Sequence, residues 1–478
     1  MVSNVNKIAK TSLLLTLGQF LGHSFSLVRN AIIGHWLSPQ DFGIAATFTI
    51  TVSILEMASD MGSDKLLVQA KEGNDASLQN AAQFFSVLRG IASCILLLIA
   101  APYVSMLFKI PQAQSAFYLL ALVPLIRGFI HFDVKRFQRD MRLFPNLFAE
   151  FVPQFVTCLL AFPIVFIKTD YSAVIDLILL QSLLLVLMTH LLAKRDYEIS
   201  FDRVAFKRLV GFGWPLMING FLMFIIFQGD KFIIGIYYDM ERLAVYSAAF
   251  ILTMTPALLV IRVLSTVILP IFSKKQDDPQ LLNVSYWHAT EITVLLASAF
   301  VVFFTLYGNT VLALVFGKHY QGYAELMATL AALWSLRILR VPATLLAMAK
   351  GDTKVGLTAN IFRSFALFGV FYCSMRHYSI EMIAYTGCAG ELLAVLITLQ
   401  QIKHKFGSQY RLFFSIVWLF LFSVIIPKFY VYYCGVDFAN TLVLGIAFLF
   451  IFSLLTLSVY RKLAAYEKDF LQKIIVAP

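Results

Sequence analysis

A 478-residue chain that is 60% apolar and 14% charged, with more Phe (45) than Lys plus Arg (38), does not belong with soluble multidomain proteins, whose surfaces need far more charge. The net charge of +11 comes from basic residues in short segments between apolar runs, a pattern of membrane orientation rather than of a nucleic-acid-binding face. The five cysteines, Cys94, Cys158, Cys373, Cys388 and Cys434, are scattered without a CxxC pair, so neither a disulfide framework nor a metal is implied.

Apolar runs long enough to cross a bilayer predict an all-α polytopic membrane protein of fourteen spans: 10–34, 42–63, 81–107, 113–131, 147–167, 172–193, 209–236, 243–271, 286–307, 321–346, 355–375, 379–402, 411–431 and 438–459. The first span carries His23 and Arg29 and lacks a small-residue cleavage pattern. It is therefore expected to stay as a membrane helix rather than leave as a signal peptide. Spans 3, 7, 8 and 10 are long enough to require tilt. The spans place 24 basic residues in loops and tails on one side and 6 on the other, so both termini are expected in the cytoplasm. In Gly211-Phe212-Gly213 the third glycine of a dinucleotide fingerprint is missing. The segment reads as a flexible start to span 7, with Pro215 in its first turn.

The seventh span reopens a pattern already met in the first. A shift of 201 brings Lys7 onto Arg208, Leu15 onto Leu216, Ile32-Ile33-Gly34 onto Ile233-Ile234-Gly235 and the turn 38–41 onto 239–242. Arg29 and Asp230 share one slot of that pattern. Six spans separate the two starts, so both halves enter the membrane from the same side, which is a parallel repeat. The expected organisation is a six-helix lobe over 1–200, a second over 201–405, and two additional spans with a cytoplasmic tail over 406–478.

Eight basic residues fall inside spans: Arg29, Arg89, Arg127, Lys231, Arg262, Arg337, Arg340 and Arg363. Each costs roughly 2.5–3.5 kcal/mol at a helix centre. Arg89 and Arg127 are near enough to a span end to snorkel; Arg262 and Arg363 are near mid-bilayer. Seven acidic residues share the interior, among them Glu56, Asp60, Asp230, Glu291 and Glu391. The excess is positive, and Arg suits pyrophosphate because its planar fork donates bidentately. Arg262, Arg363, Arg337 and Arg340 are thus candidates for a cationic substrate cavity. The alternative for Arg262 and Arg363 is an internal ion pair with Glu291 or Glu391, and for Arg337 and Arg340 a snorkelling anchor. Arg29, Asp230 and Lys231 are gate or cavity candidates, with Arg29 and Asp230 pairing across the repeat or Asp230 pairing with Lys231. Glu56, Asp60 and Glu391 are candidates for energy coupling. His23, His131 and His190 read as lone packing residues. No cofactor or metal is expected.

Four segments carry a resemblance: 29–48 with 59–72 (RNAIIGHWLSPQDFGIAATF and SDMGSDKLLVQAKE), GFGWPL (211–216) leading to GDKFIIGIYY (229–238), LPIFSKKQDDPQLL (269–282), and LVFGKHYQGY (314–323) through LLAMAKGDTKVG (345–356). In this order and spacing the chain resembles the polysaccharide transport family. These are oligosaccharide-lipid flippases of the MATE-like multidrug/oligosaccharidyl-lipid/polysaccharide superfamily, and the likeness is to their exopolysaccharide or colanic-acid type. The resemblance implies a rocker-switch transporter of the bacterial inner membrane, not an enzyme. It would move undecaprenyl-pyrophosphate-linked oligosaccharide repeat units outward, for O-antigen, capsule or exopolysaccharide. Membrane lipids and a polysaccharide polymerase complex are the other implied partners. Two readings compete: a MATE-like cation-coupled small-molecule exporter, which calls for an acidic lumen, and a polymerase or ligase, which calls for a large periplasmic loop.

Overall fold

The computed structural model describes residues 2–70, 72–140, 142–406 and 425. They form sixteen α-helices and two short 3-10 turns, with no strand among the described residues. A bilayer offers backbone N–H and C=O groups no partner, so apolar spans close their own hydrogen bonds. The first expected span is α1 (Val2–Trp36). It is followed by α2 (Pro39–Ser59), α3 (Ser63–Gln69) and α4 (Ala76–Leu107). Then come α5 (Gln114–Leu120), α6 (Leu122–Gly128), α7 (Asp133–Arg139), α8 (Phe144–Ile167) and α9 (Ser172–Leu192). The rest are α10 (Arg203–Tyr237), α11 (Met240–Lys274), α12 (Pro279–Phe316), α13 (Ala324–Ala349), α14 (Lys354–Ser364), α15 (Ala366–Met375) and α16 (Ile380–Phe406). Among the described residues, ten helical segments are long and apolar enough to cross a membrane, and eleven if the bent run from Pro111 to Arg139 is counted as one. This is a multi-pass membrane protein. The expected spans 411–431 and 438–459, and Cys434, lie outside the described residues.

Three expectations change. Span 4 is not one straight helix: after α6 the chain bends by 53° into α7. Span 11 is broken at Phe365, between α14 and α15. Pro215 lies well inside α10 rather than in a first turn. That helix starts earlier because the Asp202 carboxylate caps it, accepting from Val204 N (2.8 Å) and Ala205 N (3.2 Å), which satisfies two otherwise orphaned donors. Gly213 is consequently helical, and its role is close packing. A Cβ there would meet Met61 Cβ at 2.3 Å, and one on Gly220 would meet the Met57 carbonyl oxygen at 2.0 Å.

The helices group into two compact units. The first comprises Met1–Ala248, Val315–His319 and Val370–Tyr378. In it α10 packs along α2, α8 packs between α1 and α9, and α4 crosses α6. That crossing is close because Gly90 faces the Pro124 carbonyl, which an added Cβ would approach to 2.7 Å; small residues let membrane helices approach in this way. Residues 193–202, between α9 and α10, are tied down. Wholly buried Asp133 accepts from Arg136 Nε (2.6 Å), Lys194 N (2.8 Å) and Arg195 N (3.3 Å), and His131 Nε2 lies 3.0 Å from the Arg195 carbonyl. His131 and His190, expected to be lone, have ring centroids 5.2 Å apart. The bend after α6 brings them together.

Among the described residues, the second unit comprises Ala249–Leu314, Tyr320–Gly369 and residues 379–406. Its axis is α13, nearly all of whose residues are buried. α13 packs chiefly on α16, which also takes α14. Trp334, wholly buried, stacks edge-on at 5.6 Å against Phe250.

Candidate substrate site

The most concentrated buried charge of the second unit surrounds Glu391. Two glycines on α16 prepare it. A Cβ on Gly387 would approach Leu333 of α13 to 2.9 Å, and one on Gly390 would lie 2.4 Å from Ala366 Cβ and 3.1 Å from the Arg363 carbonyl. Both α13 and the α14–α15 break can therefore come close to α16 where Glu391 follows. Arg337 and Arg340, three residues apart, share a face of α13, and Arg363 lies in the last turn of α14, the end whose dipole favours a cation. Glu391 receives Arg363 Nε at 2.6 Å, Arg337 Nε at 3.1 Å and Arg340 Nη2 at 3.5 Å. Its own side chain is 0% exposed, and those of Arg337, Arg340 and Arg363 are 6%, 13% and 10% exposed. Arg337 also lies over the Trp334 ring, 4.1 Å from its centroid, and Arg340 reaches Asn360 Oδ1 at 3.4 Å. Glu391 is about 17 Å along α16 from Ile380 at 1.5 Å per residue, mid-bilayer depth. Three guanidiniums on one carboxylate leave the cluster a formal charge of +2.

Arg337 and Arg340 are therefore buried ion-pair partners in this conformation, not snorkelling anchors, and the ion-pair alternative for Arg363 is what the geometry contains. Arg262 does not join them. It is half-buried on α11, makes no ion pair among the described residues, and its buried Nη1 has no hydrogen-bond partner. Glu291, its expected alternative partner, faces His288 instead, with Oε2 3.5 Å from Nδ1.

The pairing expected between Arg29 and Asp230 is not made. Arg29 donates to Gln181 Oε1 (2.5 Å) and Thr157 Oγ1 (3.2 Å), while Asp230 accepts from the Tyr246 hydroxyl (2.6 Å) and the Lys231 backbone N–H (2.9 Å). Neutral partners satisfy both, because α1 turns Arg29 toward α8 and α9 and α10 turns Asp230 toward α11. The Lys231 side chain is buried.

Glu56 and Asp60 line a cavity of about 420 Å³ within the first unit. Glu56 is ion-paired with Arg127, which also donates to Ser182 Oγ at 3.0 Å. Asp60 lies 3.8 Å from Arg89 and 3.7 Å from Lys65, and it accepts from Gly62 N at 2.9 Å.

A model of the family described as "Polysaccharide biosynthesis protein" matches residues 32–325. The chain belongs to this family. This polysaccharide biosynthesis protein is 20% identical over 337 residues, 68% of each chain, to the teichuronic acid biosynthesis protein TuaB of Bacillus subtilis (strain 168). Among solved structures its fold is similar to that of the lipid II flippase MurJ in an inward closed conformation. The TM-score there is 0.71 at 16% identity, covering 95% of this chain and 100% of that one. It is also similar to a multidrug resistance MATE family transporter in an inward-facing conformation (TM-score 0.63, 12% identity, 84% and 98% covered).

In this family member the sequence read one feature in part and left another unread. Glu391 stood among the coupling candidates and as an alternative partner for Arg262 or Arg363, yet it takes Arg337 and Arg340 as well as Arg363. The signal was present in Gly387-Cys388-Ala389-Gly390, a run of small residues that marks close helix packing. Arg127, read as a snorkelling residue, is bound to Glu56, and nothing in the spacing of residues 56 and 127 announces that.

Proposed function

We propose that this polysaccharide biosynthesis protein carries lipid-linked oligosaccharide repeat units from the cytoplasmic to the periplasmic leaflet of the bacterial inner membrane by alternating access. The substrate class is an undecaprenyl-pyrophosphate-linked glycan, and the protein acts as a transporter rather than an enzyme. One observation carries the reading: the +2 surplus of buried charge around Glu391 at mid-bilayer depth. Hydrocarbon penalises charge, and three guanidiniums gathered on one buried carboxylate suit an anionic visitor. Arg363, Arg337 and Arg340 supply forked donors matched to a diphosphate, and Arg262 adds a guanidinium whose Nη1 has no protein partner. The family and the MurJ-like fold support the same reading, while the MATE-like fold supports the alternative of a small-molecule exporter. A cationic cargo would meet repulsion at the cluster. Both termini are placed in the cytoplasm on the bias of basic residues. The two six-helix lobes are placed at 1–200 and 201–405 with 406–478 beside them; α1 and α10, and α2 and α11, begin 201 positions apart, at residues 2 and 203 and at 39 and 240. Glu56, Asp60 and Glu391 are the coupling candidates, and Arg29, Asp230 and Lys231 the gate candidates.

The test is loss of the gene followed by leaflet-resolved lipid analysis. Lipid-linked repeat units should accumulate on the cytoplasmic leaflet. A normal transbilayer distribution with polymerisation lost would overturn the proposal in favour of a polymerase or ligase.

A further inference from the structure

The cavity of the first unit has a chemistry unlike that of the Glu391 cluster. Its charged lining comprises Glu56, Asp60, Asp64 and Glu150 against Arg89, Arg127 and Lys135. Each of the three cations is already met by an acid, and Asp64 is one carboxylate beyond them. Arg127 meets Glu56, Arg89 lies 3.8 Å from Asp60, and Lys135 lies 3.7 Å from Glu150. Asn146 ties the last pair together, accepting from Lys135 Nζ at 2.7 Å and donating to Glu150 Oε1 at 3.2 Å. Such a chamber selects against anions and offers a cation only Asp64 that is not already engaged. A phosphate would meet four carboxylates, and elsewhere a metal or ammonium ion would have to displace cations already in place. An apolar guest would strip water from seven charged groups without replacing its hydrogen bonds.

What the lining does offer is a dense alternation of acceptors and donors. The Glu56, Asp60 and Glu150 side chains keep 35%, 45% and 50% of their surface accessible, leaving carboxylate lone pairs for a guest. A hydroxyl group donates one hydrogen bond and accepts others, so it can bridge a carboxylate and its neighbouring cation without unbalancing the pair. Phe85 and Phe132, also in the lining, are buried in the apolar cluster that backs the cavity. The volume of about 420 Å³ falls within the roughly 300–1,000 Å³ of ligand pockets. The lining residues come from the ends of α2, α6 and α9, the start of α3, the first half of α4, α7 and the first turns of α8, the side placed in the cytoplasm by the bias of basic residues. We propose that this cavity is a carbohydrate subsite that receives uncharged sugars of the lipid-linked substrate on the cytoplasmic side. The assignment of those sugars to a lipid-linked substrate rests on the function proposed above.

The probe is the phosphate-free oligosaccharide released by mild acid from the host's own lipid-linked repeat units, titrated onto the full-length protein in nanodiscs and followed by saturation-transfer NMR. Glu150→Gln keeps the shape and removes a charged acceptor, and Asn146→Ala removes the tie; both should weaken binding at least tenfold. Neutral oligosaccharide should compete with the probe, and inorganic pyrophosphate should not. The subsite is refuted by no binding to the wild type at 10 mM (a concentration of about 10 mM corresponds to roughly −2.7 kcal/mol), or by binding that both variants leave unchanged. If Asn146→Ala does not yield monodisperse protein, the isosteric Glu150→Gln decides alone. The outcomes separate from those of the gene-loss experiment. Leaflet accumulation without cavity-dependent sugar binding sinks the subsite only, and cavity-dependent binding without accumulation sinks the flippase reading only.

Discussion

Replacing Glu391 with Gln should destabilise the protein more than replacing any one of the arginines around it. The carboxylate is wholly buried and takes guanidinium nitrogens at 2.6, 3.1 and 3.5 Å. Unit charges 4 Å apart at an effective dielectric constant of 20 interact by about 4 kcal/mol. Loss of the carboxylate removes three such attractions at once. It also raises the cluster from +2 to +3, leaves the mutual repulsion of the arginines uncompensated, and points amide N–H groups at N–H donors. Breaking a buried pair by removing one partner costs about 3–5 kcal/mol, and the shared carboxylate belongs at the upper end of that range. Arg363→Met removes the shortest single contact but lowers the cluster to +1, so its cost should be nearer the roughly 1.5–3 kcal/mol of one hydrogen bond to a charged group. The assay is thermal unfolding of purified variants in one detergent, read by intrinsic fluorescence and by the monodisperse fraction after heating. A Glu391→Gln variant as stable as Arg363→Met, or as the wild type, would refute the idea that one carboxylate balances three arginines.

Four further outcomes are expected. Gly390→Val should push the α14–α15 break off α16, since even a Cβ would lie 2.4 Å from Ala366 Cβ, with an overpacking cost of about 1–3 kcal/mol measured as a lower unfolding temperature. Arg262→Gln should leave thermal stability equal or higher, because a half-buried charge without an ion-pair partner is removed; in the leaflet assay it should lower flipping at least tenfold. Burial raises the Asp133 carboxyl, but hydrogen bonds from Arg136, Lys194 and Arg195 outweigh it and hold it below the ordinary carboxylate range. Its stabilisation is therefore complete above the unfolded value of about 4 and fades as pH falls through the lower folded value. The gap in unfolding temperature between wild type and Asp133→Asn should be full at pH 7 and narrow below pH 4. Finally, Arg29→Gln and Asp230→Asn should be additive within about 0.5 kcal/mol in a double-mutant cycle, since each group has its own neutral partners; a larger coupling would restore the pairing read from the sequence.

The membrane class and the order of the helices were legible because hydropathy is a property of segments, and twelve of the expected spans coincide with helical segments. Bends were not legible. The 53° turn after α6 follows a Gly-Phe-Ile-His stretch, residues 128–131, that carries no proline and reads as continuous apolar sequence. Pro215 misled in the opposite direction: proline usually marks a start, yet α10, capped by Asp202, begins at Arg203, twelve residues earlier. For charge, composition gave the sign and depth of the arginines, since both follow from counting along a helix. Partnership did not follow, because Glu391 meets Arg337 across 54 positions of chain, and no periodicity links them.

The two units treat buried charge in different ways, and that difference has a physical origin in how close the helices come. Around the first unit's cavity the carboxylates sit beside accessible space, so each cation finds an acid and neither has to be fully desolvated. At Glu391 the glycine-notched face of α16 admits neighbours too closely for water to share the carboxylate, and three arginines converge on what one acid can neutralise. A surplus of this kind raises the cost of the resting state, and an anion that relieves it recovers part of that cost on binding. The same surplus would oppose a cation. Paired cations at the cavity and a cation-rich cluster at Glu391 are thus the arrangement expected for a cargo that is polyhydroxylic along one part and doubly charged at another.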